Sequence, residues 1–127
     1  MNNDPEAGLA IIVNTLFDKK AINIVTLDVR ECSTLTDYFV IAEGTSVTHV
    51  TALAEAVVSA MKERNEFPMH VEGMKEGDWV VVDFMEIIVH ILLPGMRQLY
   101  RLEQLWQAGN IVEVPELNIS HAERVLI

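Results

Sequence analysis

Cysteine, positive charge and long apolar runs are all scarce in this chain. Cys32 is the only cysteine among 127 residues, so no disulfide bond can form within the chain, as is usual in a reducing compartment. No apolar stretch reaches the ~18 residues that a transmembrane helix needs. The segment from Met1 to Glu6 lacks the basic and apolar regions of a signal peptide and the arginines of a transit peptide. These absences predict a cytoplasmic protein without a membrane span.

The shortage of positive charge narrows the choice of partner. Nine basic residues stand against 19 acidic ones, for a formal net charge of -10. Affinity for nucleic acid comes mainly from lysine and arginine neutralising phosphates, so we expect little direct contact with nucleic acid. An acidic domain is suited to bind a basic protein, because complementary potentials speed encounter and fix orientation. Composition alone leaves open the alternative that the charge only keeps the protein soluble.

Residues able to bind a metal ion are scattered along the chain. The four histidines are His49, His70, His90 and His121. None forms an HxH, HExxH or Cys/His pair, which are spacings typical of zinc sites. We therefore predict no metal site and no cofactor. His90 lies within an apolar run, which favours a core histidine with one hydrogen-bonded ring nitrogen over a metal ligand.

Catalytic patterns are equally weak, and we predict no catalytic residue. Cys32 has no local signature of a nucleophile around it, and the acidic residues are too dispersed to assign acid and base roles. Gly44-Thr45-Ser46 precedes a predicted helix and could cradle an anion. In the nucleotidyltransferase fold a Gly-Ser at this place is followed by paired carboxylates that hold magnesium. Here the next acid is Glu55, so a helix cap is favoured, and a nucleotide-binding enzyme is the alternative function.

Hydrophobic periodicity predicts three helices and five strands. In chain order these are a helix from Asp4 to Lys20, strands over Ile22–Val29 and Tyr38–Ala42, a helix over Val47–Asn65, strands over Met69–Glu72, Trp79–Phe84 and Ile87–Leu93, and a helix over Pro94–Trp106. The first two helices carry apolar stripes at helical spacing, namely Leu9, Ile12, Val13, Leu16 and Phe17, then Val50, Leu53, Ala54, Val57, Val58 and Met61. The predicted fold class is α/β, a mixed β-sheet of about five strands flanked by helices.

The two strongest strands are joined by Met85-Glu86, which predicts a tight antiparallel hairpin. Side chains alternate between the two faces of a strand. Val80, Val82 and Phe84 should therefore point into a core. The opposite side should present Trp79, Val81 and Asp83 to a partner.

Three segments, in order and at matching spacing, resemble the motifs of the ribosomal silencing factor (RsfS, or Iojap) family. They are Thr36–Ala42 with Gly44–Ser46, then Glu72-Gly73 with Trp79–Asp83 and Ile88–His90, and finally Arg97–Trp106. The resemblance extends from about Leu9 to Trp106. We therefore assign residues 1–106 to an RsfS-like domain and residues 107–127 to a C-terminal extension.

The resemblance implies a mixed α/β domain related to the nucleotidyltransferase fold but without its catalytic residues. It implies a protein that binds the large ribosomal subunit through ribosomal protein fourteen, blocks joining of the subunits and represses translation. It also implies a homodimer when the protein is free. An adaptor for a different basic protein is a further alternative.

Alternation and the resemblance together nominate the residues that bind the partner. Trp79 is the kind of large, rigid side chain that anchors interfaces, and the acidic residues around it could pair with basic groups. Arg97 and Tyr100 on the third helix face either solvent or a partner, and both alternatives stay open. The candidate partner-binding residues are Glu72, Asp78, Trp79, Val81, Asp83, Glu86, Arg97 and Tyr100.

The hairpin turn departs from the family pattern. Family members usually have Gly-Asp where this chain has Met85-Glu86. A two-residue turn requires a positive φ that disfavours methionine. We therefore expect a longer or differently shaped turn.

Overall fold

The computed structural model describes residues 5–30, 36–99 and 110–111 of the chain. For residues 97–99, 110 and 111 it describes the backbone alone. The elements follow the predicted order of helices and strands. They are α1 (Pro5–Asp18), β1 (Ile22–Asp28), β2 (Tyr38–Glu43), α2 (Val47–Lys62), β3 (His70–Glu72), β4 (Trp79–Asp83), β5 (Ile87–Leu92), α3 (Pro94–Leu99) and β6 (Asn110–Ile111). The predicted bounds differ by a few residues at element ends, where α2 stops at Lys62 rather than Asn65.

One six-stranded mixed sheet has the order β3-β4-β5-β2-β1-β6. Strands β2 and β5 are parallel, and the other neighbours are antiparallel. The short strand β6 pairs with β1, where Leu27 faces Ile111. Part of the predicted extension therefore belongs to the sheet, while the domain boundary at residue 106 stays a prediction.

Helices α1 and α2 cover one face of the sheet and bury the main core. The stripe of α2 is fully buried at Val50, Leu53, Val57 and Met61, and Val58 packs at its margin. Burying each large aliphatic side chain contributes about 1.5–3 kcal/mol before the cost of ordering the chain. The prediction that Phe17 belongs to the buried stripe of α1 was wrong, because its side chain is 42% exposed near the end of α1.

The described helices have 14, 16 and 6 residues, and none is long and apolar enough to cross a membrane.

Backbone hydrogen bonds at the C-terminus of α2 explain why the helix ends at Lys62 and not at the predicted Asn65. Asn65 has a φ of 66°, in the left-handed region that asparagine tolerates. The Asn65 N–H donates to Lys62 O at 2.9 Å, and the Glu66 N–H donates to Met61 O at 3.0 Å. This pair of bonds is a Schellman motif, which satisfies the last carbonyls of the helix.

A second, smaller cluster forms on the opposite face of the sheet. Its buried members are Val25, Leu27, Val29, Ile41 and Leu92, and its half-buried members are Phe39, Trp79 and Met96. Met96 comes from α3, so this short helix lies against the second face. The sheet thus has one face covered by two long helices and another on which aromatic side chains remain half-buried.

Candidate partner-binding face

The side chains of β3, β4 and β5 that point away from α1 and α2 form a surface that we call the hairpin face. Its members are His70, Glu72, Trp79, Val81, Asp83, Ile88 and His90. Residues paired directly across neighbouring strands share a face. Glu72 is paired with Val81 and Val81 with His90, while His70 is paired with Asp83 and Asp83 with Ile88. Four of the eight candidate residues, Glu72, Trp79, Val81 and Asp83, therefore lie on one surface.

The predicted alternation along β4 is confirmed. Val80 and Val82 are fully buried against the helices, and Phe84 is 7% exposed. Trp79, Val81 and Asp83 are half-buried on the hairpin face. Strand alternation therefore predicted correctly which side chains of β4 point into the main core and which point away from it.

Trp79 is held in place rather than simply displayed. Its indole Nε1–H donates to Nδ1 of His90 at 3.1 Å. The two rings are tilted by 42° with centroids 6.0 Å apart, and the indole packs against the second cluster. An aromatic group fixed in this way loses little conformational freedom on binding, which favours affinity.

His90 is half-buried on the hairpin face rather than part of the main core, and one of its ring nitrogens is hydrogen-bonded, as the sequence predicted. Burial lowers the pKa of His90 to about 4, because a charged imidazolium is disfavoured away from water. The ring is therefore neutral at neutral pH, and its unprotonated Nδ1 can accept the indole N–H. Phe39 lies on the other side, with its ring centroid 5.6 Å from that of His90.

Sequence reasoning missed Phe39 and Gly73, which adjoin the hairpin face and contribute to the surroundings of Trp79 and His90. The signal for Phe39 is alternation in β2, where Tyr38 and Val40 belong to the main core while Phe39 packs on the second cluster. Gly73 has a φ of 91°, and a Cβ there would lie 2.0 Å from the carbonyl oxygen of Trp79. Only glycine therefore lets the loop after β3 pass so close to the backbone of Trp79.

The two acidic residues of the hairpin face, Glu72 and Asp83, each contact a residue two positions away in the chain. A carboxylate oxygen of Glu72 lies 2.6 Å from Nε2 of His70, and both side chains are more than half exposed. Exposed pairs of this kind contribute at most about 1 kcal/mol. Oδ1 of Asp83 accepts a hydrogen bond from the backbone N–H of Met85 at 2.8 Å. Asp83 therefore supports the turn as well as carrying charge on the face.

Three residues, Phe84, Met85 and Glu86, lie between the end of β4 and the start of β5. Phe84 N donates to Ile87 O at 2.9 Å and closes the loop around Met85 and Glu86. Met85 has a φ of 81°, whereas Glu86 is not in the positive region. The Glu86 N–H donates to Phe84 O at 3.1 Å, which is the i to i+2 bond of a γ-turn centred on Met85, and a positive φ at that central position is rare and strained. The turn is thus differently shaped from one that needs two positive φ values, and Met85 carries the strain.

The remaining candidates lie apart from the centre of the face. Asp78 precedes β4, and its backbone oxygen accepts from Leu93 N. Glu86 lies at the other end of the hairpin, where its backbone oxygen accepts from the N–H groups of Asp37 and Tyr38. Trp79 and Asp83 are four positions apart along β4, about 13 Å, and Asp78 and Glu86 lie beyond them at opposite ends of the hairpin. Arg97 lies in α3 with its side chain outside the described residues, and Tyr100 lies outside them altogether.

The loop Gly44–Ser46, whose sequence suggested anion binding, instead caps the N-terminus of α2. Ser46 Oγ accepts the N–H of His49 at 3.1 Å, as an N-cap residue does. The N–H of Thr45 donates to Nδ1 of His49 at 2.9 Å, and Nε2 of His49 lies 2.9 Å from Lys19 O. A Cβ at Gly44 would lie 2.9 Å from Cγ2 of Val50. Within the described part of the chain, no group of three His, Cys, Asp or Glu residues is arranged to hold a metal ion.

The fold and the face define a small mixed α/β domain with a half-buried aromatic surface on the side of the sheet opposite α1 and α2. The family model described as "Ribosomal silencing factor during starvation" matches residues 2–125. The chain belongs to this RsfS family, which confirms the resemblance carried by its motifs.

Individual relatives agree with this assignment. The chain is 35% identical over 112 residues to "Ribosomal silencing factor RsfS" of Zymomonas mobilis, covering 88% of this chain and 84% of that protein. It is 38% identical over 100 residues to the protein of the same name from Haemophilus influenzae, covering 79% of this chain and 98% of that protein. A crystal structure of a Chromobacterium violaceum protein superposes with a TM-score of 0.77 at 30% identity, covering 96% and 97% of the two chains.

Proposed function

We propose that this protein binds the large ribosomal subunit through ribosomal protein fourteen, blocks joining of the subunits and so represses translation. Membership of the RsfS family supports the ribosomal part of this proposal. The observation that carries the docking part is the indole of Trp79, fixed by His90 on a sheet face that also bears Glu72 and Asp83. A rigid aromatic centre with charged groups around it is the usual composition of an interface hot spot.

Charge supports a protein as the direct partner. A net charge of -10 opposes approach to the phosphates of ribosomal RNA, whereas it favours a basic ribosomal protein. Blocking subunit joining requires only that a bulky factor occupies the surface, so the proposal needs no catalytic group and no cofactor. We propose a cytoplasmic, non-enzymatic regulator that forms a homodimer when free.

The proposed contact surface has a centre and a periphery. Trp79 and Val81 form the apolar centre, with Glu72 and Asp83 beside them. Asp78, Glu86, Arg97 and Tyr100 are proposed as peripheral contacts. The alternative of a nucleotidyltransferase-like enzyme has no observation in its favour, since the loop on which it rests caps α2.

Sedimentation with purified bacterial ribosomal subunits tests the proposal. We expect the protein to pellet with large subunits and not with small ones. Trp79→Ala should weaken binding by more than about 2 kcal/mol, since buried aromatic anchors commonly contribute this much. Circular dichroism should show that the variant remains folded.

Phe67→Ala is the matched control, because Phe67 is an aromatic residue that is 57% exposed in the loop before β3 and lies off the hairpin face. Its binding should equal that of the unmodified protein. Equal binding of the Trp79→Ala variant would rule out the proposed docking surface. Capture of a basic protein other than a large-subunit component would instead support the adaptor alternative.

A further inference from the structure

His90 occupies a central position between two aromatic residues of the second face. It is paired with Val81 of β4 on one side and with Ile41 of β2 on the other. The rings of Trp79 and Phe39 flank its imidazole at centroid distances of 6.0 and 5.6 Å. A row of three rings therefore crosses strands β4, β5 and β2.

The hydrogen bond from Trp79 assigns a chemical state to this imidazole. An indole offers one N–H and accepts nothing, so the ring nitrogen that receives it must be unprotonated. Nδ1 of His90 is that nitrogen, at 3.1 Å, which places the ring proton on Nε2. The bond restricts rotation of the Trp79 side chain about its χ angles. An isolated tryptophan on an open sheet face would sample several rotamers and lose that freedom on docking.

We infer that His90 is a positioning residue for partner binding: its Nδ1 and its ring hold the indole of Trp79 in the orientation that meets a protein partner. This inference rests on the proposed function, in which Trp79 is the anchor. His90 acts through Trp79, and its own packing between Phe39 and Val81 gives the support that a loop-borne anchor would lack.

Two substitutions separate the hydrogen bond from simple packing. His90→Leu keeps an apolar side chain in the strand and removes the acceptor. His90→Asn places an amide oxygen the same number of bonds from the backbone as Nδ1, so it can still accept the indole N–H. Loss of the acceptor should weaken binding to purified large ribosomal subunits about tenfold, the effect of one lost hydrogen bond to a fixed group. The His90→Asn variant should recover most of this loss.

A spectroscopic readout distinguishes positioning from a structural role. The chain has two tryptophans, and incorporation of 5-fluorotryptophan gives each a fluorine resonance, assigned with a Trp79→Phe variant. We expect a single narrow Trp79 resonance for the unmodified protein and for His90→Asn. In His90→Leu the resonance should shift and broaden as the indole samples other rotamers. A residue that only fills space would change the unfolding temperature and the position of this resonance, through the lost ring current, but would leave its line width unaltered.

The outcomes separate the two proposals. An unaltered line width of the Trp79 resonance in folded His90→Leu, or binding within twofold of the unmodified protein, overturns the positioning role. If His90→Leu does not fold, His90→Phe removes the acceptor with a ring in place, and the same criteria apply. If the unmodified protein does not bind large subunits, the proposed function fails, while the fluorine spectra still decide whether His90 holds the indole.

Discussion

The two faces of the same sheet differ in how their side chains are packed. On the side covered by α1 and α2, residues such as Leu53, Val57 and Val82 are fully buried among aliphatic neighbours. On the hairpin face, Trp79 and Val81 are half-buried, and a histidine accepts a hydrogen bond from the tryptophan. The first arrangement maximises burial and the second fixes the direction of a few side chains. Stability and recognition can therefore be altered separately, which the following experiments exploit.

The largest expected effect is on the helix-covered face. Leu53→Ala should lower the free energy of unfolding by about 2–5 kcal/mol, because it leaves a cavity in a close-packed core. Urea denaturation measures the change. The folded fraction should still bind large subunits with unchanged affinity.

Val81→Ala is the matched change on the hairpin face. It should cost less than about 1 kcal/mol of stability, since Val81 is only half-buried, yet it should weaken binding. If Leu53→Ala and Val81→Ala alter stability and binding in the same proportion, the division between the two faces does not hold.

Lowering the pH should decrease the stability of the protein through His90 on the hairpin face. The pKa of His90 is about 4 in the folded protein and about 6.5 in an unfolded chain. Between these values the unfolded chain binds a proton that the folded protein excludes, so stability rises with pH. The contribution of His90 is complete above pH ~6.5 and falls by up to about 3 kcal/mol as the pH approaches 4.

Among the described residues, Glu43 of β2 and Asp83 of β4 are charged groups on the same face as His90, each two positions from a residue paired with it. Urea denaturation at several pH values should show a steeper loss between pH 6.5 and 4 for the unmodified protein than for His90→Asn. The NMR titration of the His90 ring gives the pKa directly. A midpoint near 6.5 would contradict the buried, neutral state.

The smallest expected effect concerns the tip of the hairpin. Met85 adopts a φ of 81°, a conformation that costs a residue with a Cβ about 1–2 kcal/mol. Met85→Gly should therefore stabilise the protein by about 1 kcal/mol after allowing for the greater freedom of glycine in the unfolded chain. Glu86→Gly is the control, because Glu86 has no positive φ and should lose stability. Equal destabilisation by both changes would show that Met85 is not strained.

Much of the fold could be predicted because its signals are local. The spacing of Val50, Leu53 and Val57 predicts α2, and the alternation along β4 predicts which valines are buried; the structure confirms both. Element ends were less predictable, because they depend on backbone hydrogen bonds such as those around Asn65. Phe17 was assigned wrongly because helical spacing does not tell where a helix extends beyond its neighbours.

The candidate site was predicted in part for the same reason. Glu72, Trp79 and Asp83 are brought to one face, as strand alternation and the family motifs indicate. The contact of Trp79 with His90 lies within the predicted hairpin, but alternation does not tell which side chains of a face touch. The contact of His90 with Phe39 joins residues far apart in the chain, and no local pattern contains it. The pairing of β2 beside β5, in parallel, brings Phe39 to the row of rings.

The sequence by itself determined the helices, the strands, the inward and outward sides of the hairpin and the family, because each depends on residue types at short, regular spacing. Tertiary structure alone decided which strands lie beside the hairpin, and with that the side-chain contacts around Trp79. Cross-strand pairing turned an outward-pointing tryptophan into one held by His90. The reason is physical: periodicity determines the face on which a side chain lies, whereas long-range packing determines what it touches there.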